Sequence, residues 1–256
     1  MFYGYGILNN HVPTLKATAM RAGAAISSLL TNLYAVYKAE SNANDSLGVY
    51  NGTAQGGLTY TAGKSGNAFT FNGTNAYVSL PDNSLNFTGA FSYSFWIKSS
   101  DTTNYTIIVG NIQNARAPYG FTHGYQFWLS AGKVQVDFRD GTSSVNFTQT
   151  SSGSVANGSW KHVAITFDPL NIVTGSKIYI NGSLDISGVT PPLGSVNLYS
   201  SPMKACIGAR NISGSAITNL SSGTSLDESD FWTKELTSTE ITELYNAGAG
   251  KFYPTF

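Results

Sequence analysis

The most constraining feature of this sequence is a two-residue alternation, repeated in short segments that turn-forming residues separate. Phe91-Ser92-Tyr93-Ser94-Phe95-Trp96-Ile97 is the clearest case. Successive side chains of a strand point to opposite faces. Phe91, Tyr93, Phe95 and Ile97 therefore share one face, and Ser92, Ser94 and Trp96 the other. Residues 68–71 and 76–80 alternate likewise around Asn72-Gly73-Thr74-Asn75, which predicts a hairpin. Further strands are predicted over 106–109, 125–129, 134–139, 162–167, 177–180 and 205–207. Ala131-Gly132, Asp140-Gly141, Asn157-Gly158 and Asn181-Gly182 punctuate them. Many strands at such close spacing predict an all-β chain folded as an antiparallel β-sandwich.

Two helical patterns interrupt this rule. Leu15, Ala19, Ala22, Ile26, Leu29, Leu30 and Leu33 recur at helical spacing, after Thr14 as N-cap. This stripe predicts a helix in an N-terminal arm, residues 1–32, before a domain spanning 33–256. Such a helix either packs on its own domain or docks to a partner. Near the end, Thr237-Ser238-Thr239-Glu240 is a capping box, and Ile241, Leu244 and Tyr245 follow on one face. A short C-terminal helix is predicted over 238–246, with Gly248 at its C′ position.

Charge narrows the function classes. Lys plus Arg and Asp plus Glu number 14 each, so the formal net charge is zero. Charged residues are 11% of the chain, against roughly 25% in an average soluble domain. Hydroxyls and amides must solvate most of the surface. A neutral chain with scattered basic residues has no electrostatic footprint for nucleic acid. No apolar run is long enough for a transmembrane helix, so no membrane insertion is expected. The single Cys206 excludes an intrachain disulfide and reads as a buried strand thiol. The first residues lack the basic n-region of a signal peptide.

Several segments, in order, carry a family resemblance. Leu33-Tyr34-Ala35-Val36-Tyr37-Lys38-Ala39-Glu40 precedes Asn42-Ala43-Asn44-Asp45-Ser46. Gly63-Lys64-Ser65-Gly66-Asn67-Ala68-Phe69-Thr70-Phe71-Asn72-Gly73 follows, then the Phe91–Ile97 segment. Ser159-Trp160-Lys161-His162-Val163-Ala164-Ile165-Thr166-Phe167-Asp168 pairs with Ile178-Tyr179-Ile180-Asn181-Gly182. Leu226-Asp227-Glu228-Ser229-Asp230-Phe231-Trp232 leads to Leu236-Thr237, Glu240-Ile241 and Leu244–Gly248. Over about 34–250 the chain resembles the LamG-like branch of the concanavalin A-like lectin/glucanase superfamily. The resemblance implies a jelly-roll sandwich. The arm before it resembles the anchoring segments of phage virion proteins such as fibres and decoration proteins.

The resemblance also implies candidate sites. In calcium-binding members of the superfamily, one ion ties the N-terminal loop to the chain near the last strand. Asp45, with Asn44 or Asn42, matches the first position and Asp227 the second, so a structural Ca²⁺ is expected there. Trp160 and His162 match family positions that are structural. Glycanases of this fold use paired carboxylates on one strand face, in an E-x-D-x-x-E run that this chain lacks. Asp227 and Asp230 differ by three, which on a regular strand places them on opposite faces. A nucleophile elbow is also missing, and the chain is expected not to be an enzyme.

Sugar binding needs exposed aromatic platforms beside hydrogen-bonding groups. Residues 111–125, read as a loop, contain Arg116, Tyr119, Phe121, His123 and Tyr125, the candidate ligand contacts. Residues 99–105 add Asp101, Asn104 and Tyr105. The expected function is a non-enzymatic structural protein on a phage virion surface. Residues 1–32 would anchor it to other virion proteins, and the jelly roll would face outward and adhere to host-surface glycans, as a homo-oligomer and by fibre analogy a trimer. The alternative is an extracellular carbohydrate-binding module or a bacterial cell-surface adhesin, with a glycan hydrolase behind it.

Overall fold

The computed structural model describes residues 27–116, 120–140, 146–168, 176–187, 204–212, 215–218 and 223–256. Most of the helix expected between residues 14 and 33 lies outside them. Its described end is one 3-10 turn, Ser28–Leu30, after which Leu33 opens the first strand.

In chain order the first strands are β1 (Leu33–Tyr37), β2 (Thr53–Gln55), β3 (Thr59–Ala62), β4 (Asn67–Thr70), β5 (Tyr77–Ser79) and β6 (Phe91–Lys98). A long pair follows, β7 (Asn104–Arg116) and β8 (Gly120–Ser130), then β9 (Lys133–Asp140), β10 (Asn146–Ser154), β11 (Lys161–Phe167), β12 (Lys177–Ile180) and β13 (Ser183–Ser187). The last are β14 (Lys204–Ile207), β15 (Ala209–Ile212), β16 (Ser215–Thr218) and β17 (Ser225–Trp232), before helix α1 (Ser238–Tyr245). One sheet runs β13-β12-β11-β6-β17-β4-β3, with β1 also paired to β17. The facing sheet runs β10-β9-β8-β7-β14-β5-β2, and β15 and β16 form a separate hairpin. All pairings between these strands are antiparallel. The fold is therefore the jelly-roll sandwich that the strand pattern and the resemblance imply.

The core lies between the two sheets. Phe91, Tyr93, Phe95 and Ile97 all enter it, as the alternation requires. Tyr93 stacks on Phe231 at 4.3 Å, and Phe138 stacks on Phe167 at 3.7 Å across the sheets. Offset ring pairs of this kind add to the area they bury.

The other face of β6 is also covered. Ser92, Ser94 and Trp96 are buried, because α1, the chain after it and the Ser28–Leu30 turn pack on that side. Ile241 and Leu244 of α1 join Leu29, Leu30, Val36 and Trp232 in a second apolar cluster. Trp232 Nε1 donates to Leu29 O at 2.7 Å, and Lys234 Nζ to Ser28 O at 2.8 Å. Domain packing thus reaches back to Leu29, before the boundary drawn at residue 33. The capping box forms as its spacing predicts: Thr237 Oγ1 accepts from Glu240 N, and Glu240 Oε2 accepts from Thr237 N. Asn246, at φ +46°, takes the left-handed C-cap.

Two local expectations are corrected. Asn72–Asn75 does not close a hairpin, because β4 belongs to one sheet and β5 to the other. Asn72 Oδ1 accepts from Thr74, Asn75 and Ala76 N, so this turn carries the chain between sheets. Of residues 111–125, read as a loop, 111–116 belong to β7 and 120–125 to β8, paired through Arg116 and Gly120, while 117–119 lie outside the described residues.

Phe231→Ala should cost about 3–5 kcal/mol by opening a cavity between the sheets. That corresponds to a fall in Tm of roughly 10 °C. Leu184→Ala, at a 52% exposed position, should change stability by less than about 0.5 kcal/mol. Thermal or urea unfolding of both variants checks the assignment.

Candidate functional site

The proposed metal ligands have other work. Asp45 is buried, and its carboxylate accepts four backbone N–H groups. Val36 and Leu47 donate to Oδ1 at 2.9 and 3.0 Å, and Val49 and Tyr50 to Oδ2 at 3.1 and 3.0 Å. A carboxylate offers about four lone-pair positions, and all of them are taken. Asp227 is held in the same way. Its Oδ2 accepts from Lys64 N at 2.7 Å and Ser65 N at 3.0 Å, and its Oδ1 from Glu228 N at 2.9 Å. Asn44 is exposed, and its backbone N–H donates to Asn42 Oδ1. A calcium ion needs free carboxylate oxygens and would have to displace these amides. The donor set does not fit it. Among the described residues no three His, Cys, Asp or Glu side chains come together to hold a metal.

The proposed sugar contacts separate. Tyr125 is fully buried, its ring 5.0 Å from that of Phe91, and its hydroxyl donates to Leu85 O at 3.0 Å. It is a core residue and offers no face to a ligand. The reason is parity: Tyr125, Phe127 and Leu129 lie on the inward side of β8. His123 sits on β8 opposite Gln113 and Asp140, partly buried. The backbone of Arg116 closes the β7–β8 ladder, while Tyr119 lies outside the described residues.

The outward face of the second sheet brings together a different set. A bulge in β7 shifts the register between Asn104 and Thr106. Tyr105 occupies it at φ +69°, a left-handed conformation that is uncommon for an aromatic residue. Bulges re-aim side chains, and this one lays the Tyr105 ring over Trp128, with centroids 4.1 Å apart. Tyr105 is 42% exposed, whereas Trp128 is buried and its Nε1–H has no partner. Beside this stack, Gln126 Nε2 donates to Asp137 Oδ2 at 2.9 Å and Thr148 Oγ1 to Asp137 Oδ1 at 2.7 Å. Arg210 Nη1 donates to Gln126 Oε1 at 3.1 Å, and its Nε–H is unpartnered. Burial pulls the Arg210 pKa down, while Tyr105 and Asp137 work in the opposite direction.

Arg210 arrives there because β15 doubles back over the sheet. Gly208, at φ +81°, makes the reversal, and a Cβ there would lie 2.2 Å from Phe71. Over β7 the crossing is close: a Cβ on Gly110 would approach Arg210 Cβ to 2.8 Å. Tyr105 was legible as an aromatic near a strand end. Trp128, Gln126 and Arg210 were not, since nothing in sequence announces that β15 folds across β7.

The outward face of the first sheet holds a second polar group. Ser94 Oγ lies 2.9 Å from His162 Nε2. His162 Nδ1 has no partner, so no acid orients the ring as a catalytic triad requires. The adjoining space measures about 10 Å³, the size of one water, and Ser94, Trp96, His162, Glu228, Asp230 and Leu244 help to close it. No substrate fits there.

Fold and site together define a jelly-roll sandwich with an aromatic and amide-bearing outer face. The chain belongs to the concanavalin A-like lectin/glucanase superfamily, whose family model matches residues 72–242. A search of curated protein sequences returns no match. Among solved structures, it is similar to the binding domain of Paraclostridial Mosquitocidal Protein 1, with TM-score 0.63, 19% identity, and 85% of this chain and 52% of that one covered. It is also similar to domain 4 of AbnA, an extracellular arabinanase of Geobacillus stearothermophilus, in complex with arabinotriose. That match has TM-score 0.59 and 22% identity, over 86% of this chain and 98% of that one. The receptor binding domain of botulinum neurotoxin C/D mosaic serotype matches with TM-score 0.62 and 20% identity, over 84% and 51%. The chain spans about half the length of these toxin domains. At these identities the likeness shows the fold.

Asp45→Ala should destabilise the domain by on the order of 3–5 kcal/mol, because buried amides lose their acceptor. Millimolar Ca²⁺ added to chelator-treated protein should leave Tm unchanged, since no ligand stabilises a state that it does not bind. A calcium-dependent rise would restore the metal reading.

Proposed function

We propose that this chain is a non-enzymatic binding module that engages glycans on the outward face of its second sheet. The observation that carries this reading is the bulge that sets Tyr105 over Trp128. An exposed aromatic ring, rigidly backed, is the apolar platform that a sugar ring stacks on. Behind it the buried Gln126, Asp137 and Arg210 form a hydrogen-bonded chain, and Thr148, exposed on β10, adds a hydroxyl of the kind that recognises sugars. A strained non-glycine conformation at an exposed aromatic also marks a position held for use. Similarity to toxin binding domains and to an arabinotriose-bound domain supports the reading.

The setting belongs to the same proposal. A neutral surface rich in hydroxyls and amides suits display outside a cell, and we place the module on a virion surface. The described chain is fastened at Ser28 and Leu29 by Lys234 and Trp232. Residues 1–26 precede that fastening and are the segment assigned to the virion partner. Removing residues 2–26 should leave a folded sandwich that no longer enters particles. Normal incorporation of the truncated chain would remove the anchor from the proposal.

Binding to a panel of immobilised neutral and acidic oligosaccharides tests the function. Tyr105→Ala should weaken any detected binding at least tenfold, the loss of about 1.4 kcal/mol or more of stacking, with Tm nearly unchanged. A folded wild-type chain that binds nothing on the panel would overturn the reading.

A further inference from the structure

Arg210 carries its charge into the fold without a counter-ion. It is 4% exposed, and none of the ion pairs among the described residues includes it. Its Nη1 donates to a neutral amide oxygen, Gln126 Oε1, and its Nε–H has no partner. The carboxylate beyond Gln126 is engaged elsewhere: Asp137 Oδ2 accepts from Gln126 Nε2, and Oδ1 from Thr148 Oγ1. A guanidinium keeps its charge in proteins, and a buried charge is ordinarily retained only where something pairs with it.

The surrounding face has the same imbalance. Val134, Val136 and Phe138 of β9 enter the core, so Lys133, Gln135, Asp137 and Arg139 take its outward positions. With Arg210 over them, three bases face one acid, although the chain as a whole is neutral. The register shows where they stand. Gln126 lies opposite Gly110 and Asp137, with Thr148 beyond, and Arg210 ends this row over Gly110. Trp128 lies opposite Gln135, with Thr150 beyond, and the Tyr105 ring covers the head of this row. The two rows are about 7 Å apart along β8. On the other side of the Trp128 row, Lys133 lies opposite Ser130. The aromatic platform is therefore set between two cation-bearing rows. Tyr105 acts on the Arg210 charge, which makes ring and guanidinium near neighbours. In these rows the buried groups without a partner are Arg210 Nε–H and Trp128 Nε1–H, and both are donors. An anionic acceptor is what two spare donors beside a cation suit best.

We propose that the glycan taken by this face is acidic, and that its carboxylate is the counter-ion of Arg210. This rests on the binding reading above and adds the class of sugar to it. The sugar ring lies on Tyr105, and its carboxylate turns towards the neighbouring row to accept from the guanidinium. Lys133, on the opposite side, attracts the charge of a further acidic unit.

Affinities of the full chain for matched probes test this: sialyllactose against lactose, and tetragalacturonate against the same tetrasaccharide with its carboxyls reduced to alcohols. The acidic member of at least one pair should bind at least about tenfold more tightly, and its affinity alone should fall as salt rises. Arg210→Gln keeps a donor for Gln126. It should bring the ratio within the pair close to one, with Tm unchanged or higher, since an unpaired buried charge is removed. A structural Arg210 predicts the reverse, a lower Tm and an unchanged ratio, and that result would overturn the pairing. Equal, Tyr105-dependent binding of both members would overturn the acidic preference and leave the binding module standing. A chain that binds none of the probes would remove both. Sulfated lactose bound as tightly as sialyllactose would overturn the carboxylate in favour of any anion. Should the variant not fold, the wild-type ratio and its salt dependence decide alone.

Discussion

Strand β17 is buried along all eight of its residues, and the molecule is organised around satisfying it. Its inward side chains, Leu226 and Phe231, belong to the aromatic core, and Ser229 meets the Tyr93 hydroxyl at 3.2 Å. Its outward side carries Asp227, Asp230 and Trp232. Each needs a partner away from water, and segments distant in the chain supply part of that: the Ser28–Leu30 turn accepts the indole N–H, and the loop before β4 gives two amides to Asp227. A central strand that is polar on one face requires a covering layer, and α1 with its flanking chain provides it.

The two outward faces of the sandwich consequently have different fates. On the first sheet, apolar contacts of Ile241 and Leu244 and the capping box hold a lid over ionisable groups. On the second, among the described residues, the β15–β16 hairpin crosses, and Tyr105 keeps an exposed ring. Closure suits stability, whereas exposure suits recognition. Both faces use a bulge with a non-glycine residue at positive φ, Glu228 on one and Tyr105 on the other. In each case the bulge aims a side chain where regular pleating would not.

Much of the architecture was readable from local chemistry. The odd-numbered aromatics of β6 enter the core because alternation leaves them no other side. Thr237 and Glu240 start α1 because their spacing matches the reach of the first-turn amides. Ala131-Gly132 and Asn181-Gly182 turn as two-residue hairpin loops, with both φ values positive. The candidate site was less readable. Tyr125 alternates correctly, but the side it alternates onto is the core. Asp45 has the composition of a ligand, yet its oxygens are consumed by four amides that only the folded loop gathers.

The sequence by itself determined what depends on neighbours a few residues apart: strand periods, the capped helix, the turns and the shortage of carboxylates. Tertiary structure alone decided which sheet each strand joins, so that Asn72–Asn75 crosses between sheets and Arg210 reaches Gln126, 84 positions away in the chain. It also decided the parity of β17. A bulge relieves a register mismatch between paired strands, and a mismatch exists only once both strands are in place. Asp227, opposite Trp96, and Asp230, opposite Ser94, therefore share a face in the fold, although their spacing alone assigns them to opposite ones.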